Sequence, residues 1–441
     1  MPKKLHGIRA KAYDVIVVGA GIAGICTALT LAEAGYHVLL LEKKHDVLEG
    51  TSNVTPGRMS LGIHYLANYP TAEYNLYKTL EFIKKFKNYF PDCFIRGSVN
   101  DNWHFGLYAI VNNSLIPPNQ VLDLIGCLKE RYREVIRQPE FNFLTEFYGH
   151  PYEFYEKLRI DSYDSINFSR ISLLLRTKEM LLNWSKFKKI LKFKLESKIL
   201  IDTLNHADVI NISDSHQSDK HEVCYLDIYG EKQSASSDFV VICAWQNIEK
   251  INECSGIKTS AVTNRIKILV TIQLPEKLFS HPSTFFCIGP FAMFSNMGDG
   301  TAKITYAPKT NYFVSTSKSP QENEKRIFNE DEFICDEERK QIGEDIILGI
   351  SEYMPDIKKA KLLDVKLGVV KQIHQDNKEF FDLNNSTSNH HKRAYSGVEV
   401  KNKEKTVINN SAIKLMYAAS NADQVLEIIN SVYSARMGVC T

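Results

Sequence analysis

Three glycines near the start of the chain have the spacing that close contact between backbone and phosphate requires. Gly19, Gly21 and Gly24 form a G-x-G-x-x-G motif directly after an apolar run over residues 14–18. The first glycine permits a tight turn, the second lets the backbone approach a pyrophosphate, and the third lets a helix pack closely on a strand. Glu42 follows later in the chain and can accept hydrogen bonds from ribose hydroxyls. The pattern predicts a dinucleotide-binding site.

The elements around this motif agree with that chemistry. Residues 14–18 predict a buried strand, residues 25–34 a helix and residues 37–41 a second strand. The N-terminus of the helix would present free N–H groups and the positive end of its dipole to the phosphates. Residues 15–32 are uncharged and just long enough to span a membrane, but three spaced glycines and acids on both flanks argue against that alternative. The candidate binding residues are Gly19, Gly21, Gly24, Glu42 and Lys43.

The composition narrows the class of protein. The chain has 441 residues, 44% of them hydrophobic and 24% charged, with a formal net charge of +2. These values are ordinary for a globular protein, and the charge gives no argument for nucleic-acid binding. The nine cysteines are scattered and never form C-x-x-C, which favours reduced thiols in a cytoplasmic protein without a metal site or disulfide framework.

Polar residues that could do chemistry follow the second predicted strand. Thr51 and Ser52 could hydrogen-bond phosphates, or they could simply cap a helix or form a turn. Arg58, His64 and Tyr65 lie on one loop a few residues further on. The pKa of a histidine suits proton transfer at neutral pH, so His64 is the favoured proton acceptor.

The segment GTSNVTPGRMSLGIHYL at residues 50–66, together with the opening motif, resembles the FAD-dependent oxidoreductases of the D-amino-acid oxidase and glycine oxidase superfamily. Glycerol-3-phosphate and L-2-hydroxyglutarate dehydrogenases are related to this superfamily. The resemblance implies that FAD is the cofactor and that Thr51 and Ser52 belong to its pyrophosphate loop. It also implies that residues 58–65 lie beside the flavin.

Two later segments are similar to other signatures of the superfamily. The order of helix, strands, hairpin and D-x-V-V strand over residues 176–244 implies that Val209 and Ala244 contact the FAD, although Trp245 stands where many relatives have glycine. The final strand, expected at 413–420, would lead into a helix whose N-terminal amides face the flavin. A helix N-terminus there would stabilise the negative charge of a reduced flavin. The residues of that turn are Asn421, Ala422, Asp423, Gln424 and Val425.

The substrate side of the site departs from the resemblance. Glycine-oxidase-like relatives hold a substrate carboxylate with an arginine shortly before the last strand, and Glu399 occupies the matching position here. Arg393 lies nearby, and Arg265 is a further candidate from the cap region. The catalytic candidates are His64, Arg58, Tyr65, Arg393 and Glu399.

We therefore expect an α/β protein with a discontinuous, Rossmann-like FAD-binding domain and a mixed, β-rich substrate or cap domain. The first would comprise residues 1–96, 176–258 and 393–441, and the second residues 97–175 and 259–392. The expected activity is oxidation of a C–N or C–OH bond of a small polar metabolite by hydride transfer to flavin. Oxygen and a quinone both stay open as the electron acceptor.

Two alternatives compete with this function. One is an FAD-binding module without turnover of its own, and the other is an NAD(P)-linked enzyme. The lysine-rich segment 176–195 predicts a helix, for which we favour a solvated face over contact with a membrane surface.

Overall fold

The computed structural model describes residues 13–95, 106–215, 219–315, 334–373, 382–388 and 391–436. Its strands fall into two sheets. The strands are β1 (Tyr13–Val18), β2 (Val38–Leu41), β3 (Gly106–Val111), β4 (Glu156–Leu158), β5 (Ile171–Thr177), β6 (Ile201–Leu204), β7 (Asp208–Asp214), β8 (His221–Leu226), β9 (Lys232–Ile242), β10 (Val262–Gln273), β11 (Ser283–Cys287), β12 (Ala292–Asn296), β13 (Thr301–Tyr306), β14 (Asn311–Ser315), β15 (Lys361–Ile373), β16 (Val398–Val400) and β17 (Val407–Asn410).

Seven helices of seven or more residues occur in the described part of the chain. None of them is long and apolar enough to cross a membrane. They are α1 (Ile22–Glu33), α2 (Tyr69–Lys85), α3 (Pro118–Ile136), α4 (Trp184–Glu196), α5 (Ile248–Cys254), α6 (Asp336–Ile350) and α7 (Tyr417–Arg436).

The chain divides into two compact units. Unit 1 comprises Met1–Asn53, Ile190–Ser260 and Ser396–Thr441, and unit 2 comprises Val54–Lys189 and Ala261–Tyr395. Residues 54–96 and 176–189 therefore cluster with unit 2, whereas the sequence assigned them to the nucleotide-binding domain. The backbone accounts for the difference, because residues 176–177 end strand β5 of the nine-stranded sheet and a β-bridge between Arg58 and Leu181 ties the two segments to each other.

Unit 1 is built on an eight-stranded sheet in the order β16-β17-β9-β1-β2-β6, with β7 and β8 continuing from β9. The central strand β1 runs parallel to β2 and to β9, and helix α1 packs against helix α7. All residues of β2 and nearly all of β1 are buried, as the apolar runs predict for strands covered on both faces. This arrangement is the expected Rossmann-like α/β architecture.

Unit 2 contains a nine-stranded mixed sheet whose two faces differ in chemistry. Ile266, Ile268 and Val270 alternate along β10 and join an apolar core that also contains Ile346 and Ile350 of helix α6. Since successive side chains of a strand point to opposite faces, Arg265 and Lys267 point to the other face. We call that second face, with its cross-strand neighbours, the polar face of unit 2.

Two predicted elements are wrong. The helix expected from residue 176 begins only at Trp184, because Leu182 donates its N–H to Gly57 O at 2.7 Å and residues 176–177 end β5. The strand expected at 413–420 is absent, since β17 ends at Asn410 and α7 begins at Tyr417. A short, buried apolar run does not distinguish strand from helix by its hydrophobicity alone.

Candidate active site

The predicted phosphate loop of unit 1 has the close packing that requires glycine. A Cβ added to Gly24 would lie 1.8 Å from Gly19 O, and Gly19 itself has φ of +95°. A Cβ on Gly21 would lie 3.2 Å from Ser52 Oγ. Helix α1 therefore begins against the strand–turn with no room for side chains between them, which is the geometry of a backbone cradle for phosphate.

Two of the predicted ligand residues close this loop. Ser52 Oγ accepts a hydrogen bond from Ile22 N–H at 3.0 Å, at the first turn of α1. Glu42 is buried, and its Oε2 accepts from Ala20 N–H at 2.7 Å while Oε1 accepts from Lys44 N–H at 2.9 Å. Thr51 belongs to the same short 3₁₀ turn as Ser52, and Lys43 is exposed. Glu42 thus links the glycine loop to the end of β2.

The second predicted FAD segment adjoins the same loop. The Cα of Ala244 lies 3.0 Å from the position that a Cβ on Gly19 would take. Trp245, which replaces the glycine of many relatives, has φ of +50° and so keeps a backbone conformation that favours glycine. Val209 is buried on β7 opposite Tyr225. The backbone path of a glycine is thus preserved although the residue is not.

The C-terminal helix gives the predicted amide donors a different position. Because α7 begins at Tyr417, the N–H groups of Ala422, Asp423, Gln424 and Val425 lie inside the helix, where each is directed at the carbonyl four residues earlier. Asn421 is buried, and its Nδ2 donates to Ser396 O at 2.6 Å and to Asn410 Oδ1 at 2.9 Å. The N–H groups of residues 422–425 therefore do not lie at the N-terminus of a helix, where the sequence placed them.

Arg58, a catalytic candidate, forms a buried ion pair in unit 2. Its Nε and Nη2 donate to Glu179 Oε1 at 3.1 and 2.9 Å, and Leu61 N–H donates to Glu179 Oε2 at 3.0 Å. Tyr108 Oη also donates to Glu179 Oε2. Burial by itself would lower the pKa of Arg58, but Glu179 and Tyr108 together outweigh it and the pKa lies above its ordinary value. Arg58 thus anchors the loop rather than offering a titrating group.

His64 is held on this anchored loop by a serine. Its Nδ1 lies 2.9 Å from Ser60 Oγ, and that oxygen also accepts from Gly62 N–H at 3.0 Å. The His64 ring stacks on Phe285 of the polar face with centroids 4.9 Å apart, and the Tyr65 ring centroid is 3.7 Å away. These contacts fix the orientation of the imidazole.

Three cations lie in the same unit. Arg393 is buried, its backbone N–H donates to Thr71 Oγ1 at 2.8 Å, and its guanidinium carbon is 5.9 Å from the centroid of the Tyr65 ring. Burial and then the charge of Arg393 hold the pKa of Arg265 well below its ordinary value. Burial, Arg265 and Arg393 lower the pKa of Lys267 to about 7.

Glu399 is engaged elsewhere. It lies on β16 in unit 1, where Oε2 accepts from Ser260 Oγ at 2.9 Å and from Lys401 Nζ at 3.3 Å. The sequence analysis missed Glu179, because the helix predicted over 176–195 left no reason to connect this residue with Arg58. It missed Lys267 because apolar and polar residues alternate only loosely along β10.

Solved structures of other proteins share this fold. No curated protein sequence matches the chain significantly. Among solved structures, glycine oxidase from Geobacillus kaustophilus has a TM-score of 0.63 at 11% identity, covering 95% of each chain. L-α-glycerophosphate oxidase from Mycoplasma pneumoniae has a TM-score of 0.61 at 15% identity, also covering 95% of each chain. L-proline dehydrogenase from P. horikoshii has a TM-score of 0.60 at 13% identity and covers 98% of this chain and 100% of its own. At these identities the likeness shows the fold.

The class of protein comes from the sequence family. A family model described as DAO, FAD dependent oxidoreductase, matches residues 14–106. This match confirms the predicted resemblance over residues 14–106, and it agrees with FAD as the cofactor and with an FAD-dependent oxidoreductase as the enzyme class. The glycine loop fits that cofactor, because it packs too closely for side chains at Gly19 and Gly24 and so leaves bare backbone at the start of α1, where a phosphate could approach.

Proposed function

We propose that this enzyme oxidises a C–N or C–OH bond of a small polar metabolite. The observation that carries the proposal is the grouping of His64, Tyr65 and Arg393 in unit 2, where a proton acceptor lies beside a buried cation. When bound, FAD supplies the two-electron acceptor for such an oxidation. Gly19, Gly21, Gly24 and Ser52 would hold its pyrophosphate.

His64 would accept the proton that leaves the substrate nitrogen or hydroxyl. In the tautomer with its proton on Nδ1, the ring donates to Ser60 Oγ and carries the basic lone pair on Nε2. Ser60 is itself fixed, because its carbonyl accepts from Asn75 Nδ2 at 3.1 Å and from Thr79 Oγ1 at 2.6 Å. The loop around Ser60 would therefore hold Nε2 of His64 in one orientation, as general-base catalysis requires.

Arg393 would orient the substrate through a polar or anionic group. A guanidinium binds such groups with two parallel N–H donors, which sets direction as well as affinity. Glu399, which matches the usual arginine position, interacts with Lys401 and Ser260 instead. Arg393 is thus the better candidate for this role, and its presence weakens the case for an FAD-binding module without turnover.

The test begins with the purified protein. We expect a flavin absorption spectrum and FAD in the supernatant after acid precipitation, followed by anaerobic bleaching with a panel of small amino and hydroxy acids. The variant His64→Gln keeps a polar side chain of similar reach but cannot act as a base. We expect it to retain FAD and to be bleached about 10²-fold more slowly or worse.

Three results would contradict the proposal in different ways. A colourless protein that takes up no FAD would refute the cofactor assignment. Full FAD content without bleaching by any compound of a broad panel would favour the binding module. Oxidation that requires added NAD(P) would favour the nicotinamide-linked alternative. Oxygen consumption, compared with reduction of an added quinone, identifies the electron acceptor.

A further inference from the structure

Four hydrogen bonds join the C-terminal helix of unit 1 to the helix that follows the glycine motif. Asn421 of α7 donates from Nδ2 to Ser396 O at 2.6 Å and to Asn410 Oδ1 at 2.9 Å. Asn410, the last residue of β17, donates from Nδ2 to Thr27 Oγ1 at 3.1 Å. The hydroxyl of Thr27 donates to Ala23 O at 2.8 Å, in the first turn of α1. We call these four bonds the asparagine chain.

The direction of the asparagine chain is fixed by its two ends. Ser396 O and Ala23 O are carbonyl oxygens, which can only accept hydrogen bonds. Asn421 must therefore turn its Nδ2 towards Ser396, and because the same nitrogen faces Asn410, Asn410 must present its Oδ1 there. Asn410 then turns its Nδ2 towards Thr27, whose hydroxyl accepts this bond and keeps its own proton for Ala23 O. Donation thus runs in one direction, from α7 to α1.

The side chains of the asparagine chain are shielded from water. Thr27 and Asn421 are 0% exposed, and Asn410 is 1% exposed. Buried hydrogen bonds that point the same way polarise one another, and a buried group that loses its partner is costly. A threonine often bonds to the carbonyl four residues earlier in its own helix. Here Asn410 holds the same hydroxyl from outside the helix, so the position of Thr27 also depends on β17 and α7.

The asparagine chain ends on a peptide group of the glycine motif. Ala23 O belongs to the peptide group whose N–H lies on Gly24. N–H groups in the first turn of a helix have no acceptor within the helix, and they are the groups that bind phosphate. A hydrogen bond to the oxygen of a peptide group makes its N–H a stronger donor. Thr27 Oγ1 also lies 3.9 Å from Cys243 Sγ, and Cys243 packs against the position of Gly24, so the hydroxyl is held close to the motif.

We propose that Thr27, Asn410 and Asn421 are positioning residues for FAD, which hold and polarise the first turn of α1 through Ala23. The asparagine chain gives α7 an indirect part in FAD binding, in place of the direct contact that the sequence predicted for Asn421. The inference rests on FAD as the cofactor, and it does not depend on which substrate the enzyme oxidises.

The test is a titration of the full-length apoprotein with FAD, followed by flavin fluorescence. Thr27→Val keeps the shape of the side chain and removes the hydroxyl, and we expect it to weaken FAD binding about tenfold. Thr27→Ser keeps the hydroxyl and should restore most of the affinity. Thr30→Val is the control, because Thr30 is buried on the same helix and takes part in none of the four bonds. It should leave the affinity for FAD unchanged. Urea unfolding of each apoprotein identifies conditions in which all of them are folded.

A double-mutant cycle tests whether the asparagine chain acts as one unit. Asn421→Leu removes the donor at the far end, and Asn410 is the residue that bonds to both Asn421 and Thr27. If the two residues act through one chain, Thr27→Val combined with Asn421→Leu should bind FAD no more weakly than the weaker of the two single variants. Losses of affinity that multiply would overturn the inference, as would equal losses in Thr27→Val and Thr30→Val. A loss in Thr27→Ser as large as that in Thr27→Val would also overturn it, since the hydroxyl would not be the cause.

Failure of this inference can be told from failure of the proposed function. If the unaltered protein binds no FAD, the proposed function falls and this inference falls with it. If the unaltered protein binds FAD and Thr27→Val binds it equally well, only the role of the asparagine chain is lost. Should Thr27→Val not fold, Asn421→Leu carries the comparison, with Ser420→Ala as the control on the same helix. Equal affinity for FAD in these two variants would then overturn the inference.

Discussion

Gly24 is the residue of the phosphate loop that tolerates least change. We predict that Gly24→Ala loses FAD and destabilises the protein by about 1–3 kcal/mol or more, because its Cβ would lie 1.8 Å from the backbone oxygen of Gly19. FAD content per protein and the midpoint of urea unfolding measure the two effects. Gly126→Ala in helix α3 is the control, since no atom lies within 4 Å of its added Cβ. Unchanged FAD content in Gly24→Ala would contradict the assignment of this loop.

In unit 2, we expect the largest loss of folding stability from the substitution of Glu179. We predict that Glu179→Gln destabilises the protein by about 3–5 kcal/mol, because it leaves the buried Arg58 without its counter-ion. The double variant Arg58→Met with Glu179→Leu removes both charges and should recover much of that loss. Urea unfolding of the single and double variants measures the difference. A double variant no more stable than Glu179→Gln would show that the ion pair is not the cause.

The sequence predicted which residues lie close together only where they are near one another in the chain. The three glycines lie within one strand–turn–helix unit, and Glu42 and Ser52 return to it from the end of β2, while their binding of FAD stays a prediction. The Arg58–Glu179 pair joins residues 121 positions apart, which no spacing rule connects. Arg58 therefore looked catalytic from sequence, whereas its contacts make it a support for the loop that carries His64.

Helices and strands were predicted well where a hydrophobic repeat continues over many residues. They were predicted poorly where pairing with a distant segment determines the backbone conformation. The apolar residues Leu122, Ile125, Leu128 and Tyr132 recur at helical spacing and predict a helix over 119–136, and α3 indeed spans Pro118–Ile136. Residues 178–183 have helix-forming composition, but the backbone of residues 180–182 pairs with residues 57–59. That pairing joins segments far apart in the chain, which is why it could not be predicted locally.

His281, which lies just before strand β11, should make the stability of the protein depend on pH. His281 is buried between Ser165 Oγ, 2.7 Å from Nδ1, and Thr284 Oγ1, 3.0 Å from Nε2. Burial lowers the pKa of His281 to about 3. The unfolded chain takes up the proton near pH 6.5 and the folded chain does not, so stability is present above pH 6.5 and is lost as pH falls towards 3. The loss between pH 7 and pH 5 should be about 2 kcal/mol.

Urea unfolding at pH 7 and pH 5 tests this dependence. His281→Asn will lower stability at both values, but its difference between them should be smaller than that of the unaltered protein by about 2 kcal/mol. His45→Gln, at an exposed histidine, should keep the full difference. Equal differences in all three proteins would exclude His281 as the source.

At the scale of the whole molecule, the proposed cofactor site and the proposed catalytic group depend on contacts within different units. The glycine loop and Ser52 lie in unit 1, whereas His64, Tyr65 and Arg393 lie in unit 2. We therefore predict that loss of FAD and loss of turnover can be separated. Gly24→Ala should lose FAD, whereas His64→Gln should retain FAD and be bleached about 10²-fold more slowly.

FAD content and the rate of anaerobic bleaching, measured on the same preparations, check both halves of this prediction. Folding of each variant is verified by its urea transition, because a protein that has lost a whole unit would lose both properties for a trivial reason. If His64→Gln remains folded but has lost its FAD, the slow bleaching would follow from the missing cofactor, and the assignment of His64 as the base would fail.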